Sequence, residues 1–283
     1  MKRPLNAERY EIDPDDGLIR EVVGPWAREK HERLKRYIDI SKNVRQKFID
    51  GPSKEATFTD LYCGSGRARI RDTTDVIDGS CVAAWKASVD GGKPFTKVII
   101  ADQDEEIIDA ASRRLSAIGA PLESHCGPAE SVDSKIVSNL NPHGLHFAFL
   151  DPYNLNDIPF SILQTFSKPK RMDLLIHISI HDLQRNLLKY TAPSSGVLDR
   201  FAPGWRQKIE GIGDQLLQRG KIFEHWKLLL RGLHLRTTEA AELVCGPDNI
   251  RLYWLALAAH DEKAIEFWDK IRSIGPKQID MFG

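Results

Sequence analysis

At 283 residues the chain is long enough to bury a full core, and it fits one large domain with insertions or one domain plus a small appendage, a single compact unit being expected. Its 40 lysines and arginines equal its 40 aspartates and glutamates, which excludes a global field drawing the whole protein onto DNA, RNA or an anionic membrane. The first residues carry no apolar run of signal-peptide length and no stretch approaches the roughly eighteen apolar residues of a membrane span, so a soluble cytoplasmic protein is expected.

Residues 1–24 mix charges with Pro4, Pro14 and Gly17, show no apolar period, and read as an N-terminal tail or an irregular wrap on the domain. From Trp26 to Phe48 the apolar positions recur on a helical period among many charges, predicting one amphipathic helix that Pro52 closes. Thr57 to Tyr62 is a short β-rich run, and Ser80 to Val89 a helix ended by Gly91 and Gly92. Lys97 to Asp102 is the continuous apolar run of a strand buried on both faces. A helix over Glu105 to Ile118, a strand over Leu122 to Cys126 and a helix near Ser131 to Leu140 come next. His146 to Leu150 and Met172 to Ile178 repeat the buried-strand pattern around a helix at Phe160 to Phe166. The stretch from His181 to Leu235 reads as helical insertion. Glu239 to Val244 and Ile250 to Ala258 flank the turn residues 246–249 as an antiparallel hairpin, and a helix covers Glu262 to Ile274.

This order predicts an α/β fold: a Rossmann-type, class I methyltransferase-like sheet with a C-terminal antiparallel strand and a helical insertion. The expected division is a tail over 1–24, a core over 25–180, the insertion over 181–235, a hairpin and helix completing the core over 236–275, and a flexible tail over 276–283. Cys63, Cys81, Cys126 and Cys245 are widely spread with no C-x-x-C pair, so reduced, individually buried thiols and no metal site are expected.

The strongest local signal is Thr59-Asp60-Leu61-Tyr62-Cys63-Gly64-Ser65-Gly66, where the first strand of the core ends. Glycines there let the backbone turn sharply and approach a ligand. The next long strand ends in Asp102, followed by Gln103 and Asp104, and a carboxylate at that tip suits a ribose diol. The plainer reading is that Asp102 or Asp104 caps the following helix. The third glycine of the dinucleotide fingerprint is missing, which favours S-adenosylmethionine over NAD. The candidate cofactor residues are therefore Asp60, Tyr62, Gly64, Ser65, Gly66, Asp102, Gln103 and Ala129, the last placed to pack on an adenine ring. Phe149-Leu150-Asp151-Pro152-Tyr153-Asn154 delivers an acid and an aromatic to a strand tip. It resembles the Asp-Pro-Pro-Tyr signature of methyltransferases acting on amino groups of nucleic-acid bases, with one proline instead of two. Asp151 and Tyr153 are the candidate catalytic pair, and the plainer reading makes Asp151 a turn residue.

The run from Val23 to Tyr37, with Gly24-Pro25-Trp26-Ala27-Arg28-Glu29-Lys30, resembles the opening signature of the TcmP family, the partners of three-Cys-motif proteins. Ile77-Asp78-Gly79-Ser80, Phe149 to Tyr153 and Arg251 to Ala258 agree with it in order. Where family members usually read Gly-Phe-Ala-Gly-Pro-Gly at the first turn, this chain has Leu61 to Gly66. The resemblance implies a methyltransferase-like fold working beside a radical-SAM-like three-Cys-motif protein. Trp26, Lys30 and His31 are read as fixing the signature helix.

Gln278-Ile279-Asp280-Met281-Phe282 resembles the pentapeptide with which bacterial proteins dock on the DNA sliding clamp, with Gln278 on the pocket rim, Ile279 between, and Met281 and Phe282 filling it. The sequence supports two main readings. One is a SAM-dependent methyltransferase acting on DNA or RNA in a repair or modification context. The other is a non-catalytic adaptor that recruits a partner enzyme to DNA. A third, weaker reading is an RNA-binding regulator using Lys208, Arg219, Lys221 and Lys227 around Trp205 and Trp226.

Overall fold

The burial of charged residues near the N-terminus sets the fold apart from the sequence expectation, and the strands explain it. A computed structural model describes residues 9–238, 242–245 and 251–273. The turn at 246–249 and the peptide residues Gln278, Ile279, Met281 and Phe282 lie outside the described residues. Two compact units divide the chain. One runs to Val132 and takes in His143–His146; the other is made of Asp133–Pro142 and the chain from Phe147 onward.

In the first unit, β1 (Tyr10–Ile12) and β2 (Ile19–Val23) pair antiparallel. Helices α1 (Trp26–Ile40) and α2 (Lys42–Ile49) follow. The single helix predicted here is two, because the Ser41 hydroxyl donates to the Tyr37 carbonyl at 2.7 Å and competes for the helix's own acceptors. Next come β3 (Ala56–Asp60), β4 (Arg67–Ile70), β5 (Val76–Asp78), α3 (Ser80–Asp90), β6 (Lys97–Asp102), α4 (Glu105–Ala117) and β7 (Leu122–Cys126). β3, β6 and β7 are parallel neighbours in that order, with Asp60 opposite Ile100 and Asp102 opposite Cys126. Every residue of β3 and the centre of β6 are buried, as in strands covered on both faces, and in β3 the buried set includes Thr57, Thr59 and Asp60. A second sheet has the order β1-β2-β4-β5.

That second sheet corrects the reading of residues 1–24 as a tail or an irregular wrap, since Tyr10–Ile12 and Ile19–Val23 are strands paired into it. Their alternation was hidden because charged residues occupy the inward positions. Asp13 is 0% exposed and faces three guanidiniums: Arg20 at 3.1 Å, Arg67 at 3.0 Å and Arg114 at 3.7 Å. Arg114, on α4, also pairs with Asp16 at 2.8 Å and donates to the Ile19 carbonyl at 2.8 Å and the Ser65 carbonyl at 2.7 Å. Glu11 bridges Arg20 and Arg69, each at 2.7 Å. A buried charge persists only when paired and hydrogen-bonded, and this network supplies the pairs.

The network predicts acid sensitivity. Hydrogen bonds from Arg69 hold the Glu11 carboxyl down from an ordinary 4.5 to about 2, and a hydrogen bond from Arg114 lowers Asp16. Depressed carboxylates contribute stability that is present above their unfolded value and is lost as pH falls through the folded one. Docking of residues 9–23 should therefore weaken between about pH 4.5 and 2. Hydrogen exchange of the Ile19–Val23 amides across that range checks it. The weakening should be smaller in Glu11→Gln.

Helix α5 (Ala129–Ser138) leads into the second unit, which holds β8 (Leu145–Leu150) from Phe147 onward, a 3-10 turn at Leu155–Asp157, α6 (Phe160–Phe166) and β9 (Met172–Ser179). The insertion then supplies α7 (Ile180–Thr191), α8 (Val197–Phe201), α9 (Arg206–Ile209) and α10 (Gln215–Gly232). Last come β10 (Arg236–Thr237), β11 (Glu242–Cys245), β12 (Arg251–Ala259) and α11 (Glu262–Ser273). Strand order is β10-β12-β9-β8, with β11 also on β12, and β12 runs antiparallel to β9. The fold is thus α/β and Rossmann-type, with a reversed late strand and a helical insertion, as the alternation implied. Trp205 and Trp226 are 1% and 0% exposed, so they are core and not a nucleic-acid platform. Phe201 and Phe223 each stack on Trp226 at 5.7 Å. Lys227 is buried against Glu224 at 2.7 Å. Among the described residues no helix is long and apolar enough to cross a membrane.

Candidate functional site

The first candidate lies wholly in the first unit, where β3 hands the chain to the glycine bend. Asp60 is fully buried at the end of β3 and accepts from the Tyr62 N–H at 3.2 Å, turning the chain back on itself. Cys63 N–H donates to the Ala101 carbonyl at 3.1 Å, so the bend stays against β6. Gly64 and Gly66 take φ of +56° and +79°, where a side chain is strained. Ser65 spans the bend by donating its hydroxyl to the Arg67 carbonyl at 2.9 Å, while Arg114 holds the Ser65 carbonyl from α4.

After Gly66 the chain does not enter a helix. It runs through the hairpin of β4 and β5 and returns at Gly79, whose N–H donates to the Gly66 carbonyl at 2.9 Å. Gly79 is the N-cap of α3, so the helix N-terminus is delivered to the bend only after this excursion. A Cβ on Gly79 would stand 2.7 Å from the Gly66 carbonyl carbon. Two backbones touch there, and only glycine permits it.

Asp102 ends β6 beside the bend. Its carboxylate accepts from the Asp104 N–H at 3.0 Å and also from the backbone N–H groups of Gly64 and Gln103. Burial raises the carboxyl above its ordinary value while those donors pull it down. The helix cap is Asp104, not Asp102: its side chain accepts from the Glu106 and Ile107 N–H groups. Gln103 is exposed and Ala129 half-buried. The loop between β7 and Ala129 is tied to the same place by the Gly127 N–H, which donates to the Asp102 carbonyl at 2.9 Å. Cys126, the last residue of the edge strand β7, is exposed rather than buried. Burial raises the Cys63 thiol, which favours an unreactive structural role.

The second candidate lies wholly in the second unit. Asp151 comes directly after β8, and its Oδ1 sits 3.2 Å from His177 Nδ1 on β9. The Tyr253 ring of β12 packs on His177 at 4.6 Å. Tyr153 is 69% exposed, while Pro152 is buried and anchors the loop. Asn154 shapes the 3-10 turn after it, accepting from the Asn156 N–H at 2.8 Å and donating to Asp157 at 2.7 Å. Asp182 on α7 accepts from the Leu155 N–H at 3.0 Å, from Asn186 at 2.8 Å and from the Tyr190 hydroxyl at 2.9 Å. A cleft of about 510 Å³ opens beside this loop, lined by Asn154, Asn156, Lys189, Tyr190, Ser194 and Ser195 among others.

No family model matches the chain, and no curated protein matches it. Solved structures do resemble it. One is the O-methyltransferase TomG from Streptomyces achromogenes, involved in tomaymycin synthesis and in complex with SAM, at 14% identity over 84% of this chain and 92% of that one, TM-score 0.47. Another is the O-methyltransferase from Bacillus cereus in complex with SAH, at 12% identity over 83% and 82%, TM-score 0.49.

Sequence reasoning left out Arg114, Asp13, His177 and Asp182. Only Asp182 had a local signal: Asp182, Asn186 and Tyr190 fall at i, i+4 and i+8 on one helix face. The others act across chain-distant pairings that no local pattern announces.

Proposed function

We propose that the chain binds S-adenosylmethionine at the glycine bend and transfers its methyl group to an amino group on a nucleic-acid base. The observation that carries the cofactor assignment is Gly64, whose N–H donates to the Asp102 carboxylate and so joins the bend and the acid into one edge suited to a nucleoside. A dinucleotide fits poorly. Its pyrophosphate needs a glycine turn opening directly into a helix N-terminus, whereas here a hairpin intervenes and the Gly79 N–H is already taken by the Gly66 carbonyl. The acids Asp60, Asp102 and Asp104 gathered there suit a sulfonium cation better than a phosphate.

In this reading Asp60 and Ser65 hold the bend, with Tyr62 beside it. Asp102 accepts from one ribose hydroxyl, since two carboxylate oxygens offer about four acceptor positions and three backbone donors leave one open. Gln103 and Ala129 flank the adenine. The sulfonium, when bound, supplies an electrophilic methyl carbon. The exposed Tyr153 ring offers a stacking face for a base, and Asp151, beside His177, accepts a hydrogen bond from the amino group. Such a transfer needs alignment more than a strong base.

Calorimetric titration with S-adenosylmethionine tests the cofactor half. Heat is expected from the full chain, and Asp102→Ala should weaken it by about ten- to a hundredfold, the worth of hydrogen bonds to a charged group. No heat rejects the reading. Labelled-methyl transfer to DNA and RNA tests the acceptor. Cofactor binding without incorporation into either would overturn the enzyme in favour of an adaptor with a methyltransferase fold.

A further inference from the structure

The cleft that begins at Asn154 has no role in the methyl transfer itself, and its lining has one chemistry. With cations and anions balanced over the chain, any contact with a polyanion has to be local. Lys189, in the last turn of α7, is exposed, lines the cleft, and pairs with no acid among the described residues. Ser194 and Ser195 line it from the segment after α7. Ser195 Oγ accepts from the Val197 N–H at 3.5 Å, which leaves its own hydroxyl proton to donate.

The groups that would repel an anion are covered. No acid lines the cleft among the described residues. Asp157 accepts from the side-chain amides of Asn154 and Asn156, and Asp182 from Leu155, Asn186 and Tyr190. The carbonyls at the end of α7 are taken as well: the Thr191 hydroxyl donates to Leu187 at 2.9 Å, the Ala192 N–H to Lys189 at 3.4 Å, and Arg206 to Thr191 at 3.4 Å. What remains on the cleft wall is an ammonium and two hydroxyls, all donors suited to phosphate oxygens. Arg185, one turn earlier on α7 and exposed, extends the positive face. At about 510 Å³ the cleft is of a size that takes a nucleotide. Its edge at Asn154 is the residue next to Tyr153, so the two backbones stand only about 3.8 Å apart.

We propose that this cleft is the phosphate site of the acceptor strand, where Lys189 with Ser194 and Ser195 grips a backbone phosphate beside the base that stacks on Tyr153. This rests on the nucleic-acid reading and adds the backbone contact to it. Phosphate contacts position a strand and carry no sequence information, so the cleft sets where the strand lies and not which bases it has.

Fluorescence anisotropy of the full chain with short single strands of DNA and RNA tests it. Lys189→Gln should weaken binding by about tenfold, the worth of one hydrogen bond to a charged group. It should also flatten the slope of log affinity against log salt by about 0.7, the counter-ion release of one phosphate on a single strand. Lys170→Gln removes the same charge just before β9, at the opposite end of that strand from α7, and should stay within about twofold. A strand of abasic sugars keeps its phosphates, so it should remain sensitive to Lys189→Gln and lose its sensitivity to Tyr153→Ala. Equal effects of the two lysine variants, an unchanged salt slope, or an abasic strand indifferent to Lys189 overturns the cleft while the nucleic-acid reading stands. Lys189-dependent binding of adenosine 5′-monophosphate, with neither strand bound, assigns the cleft to a free nucleotide and overturns the strand. Wild-type protein that binds neither strand nor the mononucleotide overturns both the cleft and the nucleic-acid acceptor.

Discussion

Replacing Gly79 with alanine is expected to destabilise the protein by about 3 kcal/mol, the upper part of the range for forced overpacking. The added Cβ would stand 2.7 Å from the Gly66 carbonyl carbon, 2.8 Å from its Cα and 3.1 Å from the Arg67 nitrogen. All three atoms are backbone, so none can swing away as a side chain would. Gly79 has φ of −67° and ψ of 166°, which alanine accepts, so the cost is steric and not torsional. Relief requires the bend and the start of α3 to part, which moves Gly64 and Gly66. Gly213, with nothing within 4 Å of its Cβ position, is the control, and Gly213→Ala should change stability by no more than about 0.5 kcal/mol. Urea unfolding of both variants measures the difference. A Gly79→Ala protein as stable as the control would show that the two backbones do not meet.

Asp13→Asn is expected to cost about 3–5 kcal/mol, the penalty for breaking a buried ion pair. The side chain is 0% exposed, and its loss leaves Arg20, Arg67 and Arg114 facing one another without their shared anion. Since Arg114 also holds the Ser65 carbonyl, the bend should loosen along with residues 9–23. The exposed pair Arg28–Asp75, at 2.9 Å with both side chains more than half exposed, sets the contrast. Arg28→Ala should fall within about 0.5 kcal/mol, because water screens and entropy offsets such a bridge. Chemical denaturation of Asp13→Asn beside Arg28→Ala decides it, and equal effects would place Asp13 in solvent.

Much of the candidate site was legible in the chain. Gly64 and Gly66 sit where a strand ends and need positive φ, a property of the residue type. Asp104 caps α4, as the acid before Glu105 and Glu106 suggested, and Asp102 was read correctly as the last residue of its strand. The hairpin of β4 and β5 was missed. Its strands are short, and Arg67 and Arg69 alternate with apolar residues in a run too brief to separate from a loop.

By itself the sequence determined the buried strands of the framework, because a strand covered on both faces carries a continuous apolar run at its centre. Residues 98–101, 147–150 and 174–176 obey that local rule. Only the tertiary structure decided the place of Asp13 and Arg114. Each is a charged residue in a charged stretch, and whether it meets water or a partner depends on β2 pairing with β4 across a long loop of chain. The free energy of a buried charge comes from its neighbours in space, and those neighbours are set by pairing that no local window contains.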